Sequence, residues 1–167
     1  MKTENINIAV GVYDSVAELP ADERELVEAA KEATRGSYSP YSHFHVGAAI
    51  RMGNGEIIKG ANQENAAFSV TQCAERAACF YAAANHPGMA MKKIAIAAWT
   101  RDGQPEEAEF EECFQSSPIS PCGICRQALL EYETAQGEPI EVILYGRERI
   151  YKLPSIASLL PLCFTEF

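Results

Sequence analysis

The chain has 167 residues, of which 47% are hydrophobic and 22% charged, and its formal net charge is −9. This length suits one domain with a single core, and the composition argues against disorder and against fibrous repeats. The acidic balance disfavours nucleic acid and anionic membranes as partners, because polyanions are bound by clustered Lys and Arg. We therefore expect one domain over residues 1–167, with no nucleic-acid or membrane partner.

The chain's beginning and its cysteines indicate the compartment. The opening MKTENINIAV lacks the basic and apolar regions of a secretion signal, and no apolar run is long enough to span a bilayer. We therefore expect a cytoplasmic protein. In that reducing compartment the six cysteines are expected to be thiols or metal ligands rather than disulfides.

Hydrophobic periodicity and turn residues predict the elements of the first half of the chain. Residues 1–20 form an N-terminal extension. The predicted elements are a short strand within 5–13, a helix over 20–36, a hairpin of 43–52 and 56–62, and a helix over 69–88. The hairpin is placed by Asn54-Gly55, because this pair favours the positive φ values of tight turns.

The second half continues the alternation of strands and helices. A strand over 92–100 is almost continuously apolar, which indicates a position covered on both faces of a sheet. The acidic, turn-rich stretch 101–117 is predicted to be an exposed loop or insertion. The remaining predictions are a helix over 122–133, strands over 138–146 and 147–153, and a terminal helix near 156–160. Together they indicate an α/β fold, a three-layer α/β/α sandwich around a mixed sheet.

Two cysteine motifs stand at the beginnings of predicted helices. Cys73 begins one helix, and Cys122 with Cys125 begins another. The unpaired N–H groups and the dipole at a helix N-terminus favour thiolate over thiol. Cys122 and Cys125 are three positions apart, so their side chains share one helix face. The three thiolates are predicted to hold one tetrahedral Zn²⁺ per chain and to leave the fourth position open, as in catalytic zinc sites.

Glu75 and Arg76 follow Cys73 closely and complete the predicted site. Glu75 is near the metal without being needed as a ligand, so its carboxylate is predicted to carry a proton from water to substrate. Three thiolates around Zn²⁺ leave a formal charge of −1. Arg76, three residues after Cys73, is predicted to offset that charge by donating to the sulfurs.

Other interpretations of these cysteines remain open at this point. Cys122-x-x-Cys125 alone is equally compatible with a redox pair or a structural clamp. A thioredoxin-like protein would leave Cys73 and Glu75 without a role. A non-catalytic, zinc-stabilised module would instead require a closed site with four ligands.

Four ordered motifs suggest a family. Cys73-Ala-Glu75 with Pro121-Cys122-Gly-Ile-Cys125 is typical of zinc-dependent deaminases. With SPYSHFHVGAAI (39–50), GANQENAAF (60–68), CAERAA (73–78) and SPCGICRQ (120–127), the chain resembles the small homotetrameric cytidine deaminases over roughly residues 24–164.

The resemblance implies roles for further residues and a reaction. Asn62 and Glu64 match a ribose-binding pair, and Phe44 matches an aromatic residue that lies against the base. Ala74 matches a backbone contact to the pyrimidine, and Phe164 an aromatic residue supplied by a neighbouring subunit. The implied reaction, part of pyrimidine salvage, is attack of zinc-bound hydroxide on C4 of cytidine or 2'-deoxycytidine, with Glu75 as the proton shuttle.

Two departures from the family pattern concern the substrate. Phe68 stands where the family often has tyrosine, and residues 69–72, SVTQ, lack the proline and glycine frequently found there. A blasticidin-type enzyme acting on another aminopyrimidine nucleoside is therefore the alternative within the same chemistry.

Overall fold

The computed structural model describes residues 1–103, 105 and 107–165. Positions 104 and 106 of the predicted acidic insertion, and the last two positions of the predicted domain, lie outside the described residues. The strands are β1 Gly11–Tyr13, β2 Phe44–Met52, β3 Ile57–Ala61, β4 Met91–Thr100, β5 Glu141–Tyr145 and β6 Ile150–Leu153. The helices are α1 Ala21–Ala33, α2 Ala74–Asn85 and α3 Gly123–Gln136.

The strands form one mixed sheet in the order β1-β6-β5-β4-β2-β3. The pair β4–β5 is parallel and is joined through α3, whereas the other neighbouring pairs are antiparallel. The predicted hairpin is confirmed: β2 pairs with β3, and Gly55 in the turn has a φ of +88°. No helix among the described residues has the length and apolar character needed to cross a bilayer.

Alternate residues of the central strands pack against different helices. Ala48 and Ile50 of β2 face α2 and α3, while Ala49 between them faces α1. A strand directs successive side chains to opposite faces, so a strand buried on both sides is apolar throughout. This packing confirms the predicted three-layer α/β/α sandwich.

Several predicted boundaries need correction. The N-terminal strand covers only Gly11–Tyr13 of the predicted 5–13, and the helix predicted over 69–88 begins at Ala74. Residues 68–70 form a separate 3-10 turn, and Cys73 is the N-cap of α2. The terminal helix is a single 3-10 turn, Ala157–Leu159. Short apolar runs lack the length over which periodicity distinguishes a helix from a turn.

The sequence predicted an exposed loop or insertion over the acidic stretch 101–117, but part of this stretch is buried. Phe114 is 1% exposed and packs edge-on against Phe110 and Tyr145, with ring centroids 5.0 and 5.6 Å apart. Glu111 pairs with Lys31 of α1 at 2.7 Å. Two aromatic residues therefore anchor a polar segment over the α1 face, where hydrophobic periodicity gave no signal.

Close contact between a glycine and a helix sets the position of α2. A Cβ added to Gly60 of β3 would lie 2.5 Å from the carbonyl oxygen of Ala74 and 2.5 Å from the amide nitrogen of Ala78. Real Cβ atoms do not approach backbone atoms so closely, so only glycine allows the first turn of α2 to rest on this strand.

We expect Gly60→Ala to lower the free energy of unfolding by about 1–3 kcal/mol, because the methyl group must push α2 away from β3. It should also reduce zinc retention, since Cys73 begins that helix. Urea unfolding and zinc analysis check both effects. Gly53→Ala is the matched control, because its Cβ would make only an ordinary contact of 3.5 Å. Equal stability of the two variants would contradict the expectation.

A buried carboxylate joins α1 to two strands. Glu23 is 1% exposed, and its Oε1 accepts hydrogen bonds from Lys93 of β4 at 2.5 Å and Lys152 of β6 at 2.6 Å. Burial acts to raise its pKa, but the hydrogen bonds from Lys152 and Lys93 outweigh that effect, so the pKa of Glu23 is lowered.

Because the folded-state pKa of Glu23 lies below that of the unfolded chain, its contribution to stability is present above the ordinary value of 4.5 and is lost as the pH falls through the folded-state pKa. Glu23→Gln should lower the free energy of unfolding by about 1–3 kcal/mol at neutral pH. The deficit should shrink below the ordinary pKa. Urea unfolding over this pH range checks it. The exposed pair Glu25–Arg51, removed by Glu25→Gln, is the control, with about 0–1 kcal/mol expected.

Candidate active site

The beginnings of α2 and α3 bring three cysteines together. Cys73 is the N-cap of α2, Cys122 is the N-cap of α3, and Cys125 lies in the first turn of α3. Their sulfur atoms all lie within 4.8 Å of one another, and the Sγ atoms of Cys122 and Cys125 are 3.5 Å apart. None of the six cysteines, all of which the structure describes, forms a disulfide, as the sequence predicted.

This cluster fits a zinc ion. Zinc–sulfur bonds of about 2.3 Å in tetrahedral geometry separate neighbouring sulfurs by about 3.8 Å, which the observed separations approach. Neither N-cap cysteine makes a side-chain capping hydrogen bond, so both sulfurs are available as ligands. Cys73, Cys122 and Cys125 are the one group of metal-ligating residues found in the described part of the chain.

The surroundings favour a thiolate on Cys73. Its sulfur accepts hydrogen bonds from Cys125 and from Arg76, whose Nη2 is 3.8 Å away, and these lower the pKa of the Cys73 thiol to about 5. The Cys125 thiol donates to Cys73 and is buried, so its own pKa is raised. Cys73 is therefore favoured as a thiolate before a metal adds its own attraction for the other sulfurs.

Glu75 lies in the first turn of α2 and faces the same site. It is 5% exposed, and burial raises the pKa of its carboxyl group. It lines a cavity with Cys73 and Cys122, so a molecule held there would contact both the sulfur cluster and the carboxylate. The structure therefore brings together the predicted metal ligands, Glu75 and Arg76.

The cavity has a volume of about 260 Å³. Its lining residues are Val46, Asn62, Glu64, Thr71, Gln72, Cys73, Glu75, Ile119, Ser120 and Cys122. The sequence predictions assigned no site role to five of these, namely Val46, Thr71, Gln72, Ile119 and Ser120, although residues 69–72 were singled out as a departure that concerns the substrate. Four of them, Thr71, Gln72, Ile119 and Ser120, immediately precede Cys73 or Pro121-Cys122. Their closeness in sequence to predicted ligands could have indicated that they line the cavity. Val46 reaches the cavity only through the fold, and no neighbouring residue in the sequence indicated its place in the lining.

Asn62 and Glu64 line the cavity but also support the loops around it. The Oδ1 of Asn62 accepts from the Ser37 hydroxyl at 2.6 Å and from the Val46 amide at 2.8 Å. Its Nδ2 donates to the Phe44 carbonyl at 2.9 Å. Glu64 accepts from the amides of residues 41 and 42, and its pKa is lowered, chiefly by hydrogen bonding from Ser42.

The other predicted contacts lie around the cavity rather than among its lining residues. Phe44 is half-buried at the start of β2, and Ala74 is buried in the first turn of α2. The side chain of Phe164 is 64% exposed, and its carbonyl accepts a hydrogen bond from Nε2 of Gln127 at 2.9 Å. Their roles toward a substrate stay predictions.

A second, larger cavity lies beside this one. It has a volume of about 610 Å³ and is lined mainly by apolar side chains of the N-terminal segment, β5, β6 and the C-terminal segment. Ser120 lines both cavities. Arg126 lines only the larger one and follows Cys125 directly in the chain. Its lining residues include no Cys, His, Asp or Glu, so the smaller cavity is the candidate active site.

Comparison with known proteins agrees with this site. Residues 20–137 match the family model described as the cytidine and deoxycytidylate deaminase zinc-binding region. A cytidine deaminase of Halalkalibacterium halodurans is 36% identical over 146 residues, which cover 86% of this chain and 95% of that protein. A blasticidin-S deaminase of Bacillus cereus is 32% identical over 142 residues, covering 85% and 91%.

The fold is shared with solved structures. The crystal structure of a cytidine deaminase from Burkholderia pseudomallei superposes with a TM-score of 0.67 at 36% identity. The match covers 84% of this chain and 97% of that one. On the family match and these identities, the chain belongs to the cytidine and deoxycytidylate deaminase family of zinc-dependent hydrolytic deaminases.

Proposed function

We propose that this protein catalyses the hydrolytic deamination of cytidine and 2'-deoxycytidine to uridine and 2'-deoxyuridine, with release of ammonia, as a cytoplasmic enzyme of pyrimidine salvage. The observation that carries the proposal is the cavity in which Glu75 lies beside Cys73 and Cys122 of the sulfur cluster. The likeness to named cytidine deaminases over most of the chain supports the same reaction.

Cys73, Cys122 and Cys125 would hold zinc, and Glu75 would move protons. Zinc bound there would supply a Lewis acid that lowers the pKa of water, so that water can act as a nucleophile at neutral pH. The Glu75 carboxylate takes a proton from the attacking water and delivers it to N3 of the ring. It then carries the second proton to the amino group as the C4–N bond breaks, so that water and cytidine give uridine and ammonia.

Arg76 and the cavity walls would complete the machinery. Arg76 donates toward Cys73 and reduces the negative charge of three thiolates, which leaves the metal a stronger acid. Asn62 and Glu64 would bind the ribose hydroxyls, supported by their place in the cavity lining. Phe44 would lie against the base, and the backbone at Ala74 would contact the pyrimidine.

A blasticidin-type deaminase is the second candidate, favoured by the likeness to the Bacillus cereus protein and by Phe68 and residues 69–72. The same cysteines and Glu75 would serve that reaction. A panel of aminopyrimidine nucleosides, with ammonia release as the readout, separates the two. A non-catalytic zinc module is disfavoured, because the group found in the described part of the chain offers three ligands and leaves a tetrahedral ion one open position.

We expect Glu75→Gln to lower kcat for cytidine by at least about 100-fold, because a positioned proton carrier contributes about 10²–10⁴ in rate. Zinc content should stay near that of the wild type, since Glu75 is not a predicted ligand. Ammonia release and zinc analysis are the measurements. Glu131→Gln, an exposed position of α3, is the control. Full activity of the zinc-loaded Glu75→Gln protein would exclude the proposed role.

We further propose that the chain assembles as a homotetramer in which Phe164 contacts the active site of a neighbouring subunit. The large exposed apolar side chains support an assembly, because a subunit interface would cover exposed apolar surface. These exposed side chains include Phe68, Val70, Phe80, Tyr81, Ile124, Leu162 and Phe164.

Light scattering should give a mass of four times the chain mass of 18.3 kDa. Phe164→Ala should retain that mass and show a higher KM for cytidine, because the apolar contact is removed from a neighbour's site. A stable monomer with full activity would remove both the tetramer and the role of Phe164.

A further inference from the structure

Arg126 of α3 joins three parts of the structure around the candidate site. Its Nε donates to the Pro121 carbonyl at 2.8 Å, immediately before the predicted ligand Cys122. Its Nη2 donates to the Ser120 hydroxyl at 2.9 Å, and its Nη1 donates to the Leu159 carbonyl at 3.1 Å. One guanidinium group therefore holds the loop before α3 against the C-terminal segment.

The bond to Ser120 has a chemical consequence for the cavity. A guanidinium group has five N–H donors and no acceptor, so the Ser120 oxygen must act as the acceptor. The hydroxyl keeps its own proton to donate elsewhere. Ser120 is solvent-exposed, and none of the residues that the structure describes accepts that proton. Ser120 lines the cavity with Glu75 and Cys122, so a molecule in the cavity can supply the acceptor.

We propose that Arg126 is a positioning residue that orients Ser120, and that Ser120 donates a hydrogen bond to an acceptor atom of the substrate's base. The inference rests on the proposed function, because it takes an aminopyrimidine nucleoside to be the occupant of the cavity. The base is the part concerned, because Ser120 stands two residues before Cys122. The planar guanidinium group of Arg126 can donate to the Pro121 carbonyl, the Ser120 hydroxyl and the Leu159 carbonyl at once. A lysine ammonium group cannot hold three acceptors in this geometry.

The contact at Ser120 can be tested without disturbing the fold. Ser120→Ala should lower kcat/KM for cytidine about 3- to 10-fold, the usual effect of losing one neutral hydrogen bond. Ser120→Thr keeps the hydroxyl and should restore most of that loss. Zinc content should be unchanged in both variants. Equal kcat/KM in Ser120→Ala and the wild type would overturn the contact.

The positioning role needs a double-mutant cycle. If Arg126 acts through Ser120, Arg126→Lys should cost at least as much kcat/KM as Ser120→Ala, and the double variant should be no worse than Arg126→Lys. If Arg126 only stabilises the fold, the losses in kcat/KM of the two single variants should multiply in the double variant, and Arg126→Lys should have a lower unfolding midpoint. Multiplied effects would therefore overturn the role. Arg24→Lys is the control, because Arg24 donates to the Leu19 carbonyl at 2.7 Å, at the start of α1.

Product binding separates this inference from the proposed function. Calorimetric titration of uridine into the zinc-loaded protein requires no turnover. If the wild type releases no ammonia from either nucleoside, the proposed function fails. A 3- to 10-fold weaker uridine affinity in Ser120→Ala would still support the contact. Equal affinities, or no uridine binding by the wild type, would overturn it.

Discussion

The site depends on how closely α2 approaches the sheet. Gly60 allows the backbone of Ala74 and Ala78 to rest on β3, and this contact fixes the height of the helix's first turn. Cys73 and Glu75 lie in and just before that turn, so their distance from α3 is set by a position that carries no side chain. On the opposite face a Cβ on Gly47 would likewise overlap the backbone of α1, so both helical layers are seated through glycines of the same hairpin.

Charge explains why two helix N-termini are needed at one point. Three thiolates within 4.8 Å repel one another, and a single positive helix end would offset only part of that repulsion. The paired N-termini of α2 and α3, with Arg76 beside Cys73, favour a thiolate on Cys73 and would offset part of the negative charge of all three sulfurs when a metal is bound. The same packing desolvates Glu75 and raises its pKa, which gives a carboxylate a stronger affinity for the proton it is proposed to carry.

The residues that could be predicted from the sequence are those whose chemistry is local. Cys73 with Glu75, and Cys122 with Cys125, are recognisable because both partners belong to one helix start, where spacing alone decides which side chains meet. The layers of the sandwich were predictable for the same reason, from periods of two and of 3.6 residues. Val46 in the cavity lining and the burial of Phe114 were not, because each depends on a contact between segments far apart in the chain.

Several hydrogen bonds between separate segments of the chain converge on α3. Glu133 accepts hydrogen bonds from the amides of Ile156 and Ala157, and Arg126 holds the Leu159 carbonyl one turn later along the segment. Gln127 then holds the carbonyl of Phe164. The helix that presents two of the three sulfurs therefore also anchors residues 156–164. Because Arg126 also donates to the Pro121 carbonyl and the Ser120 hydroxyl, the same helix connects residues 156–164 to the loop that ends at Cys122.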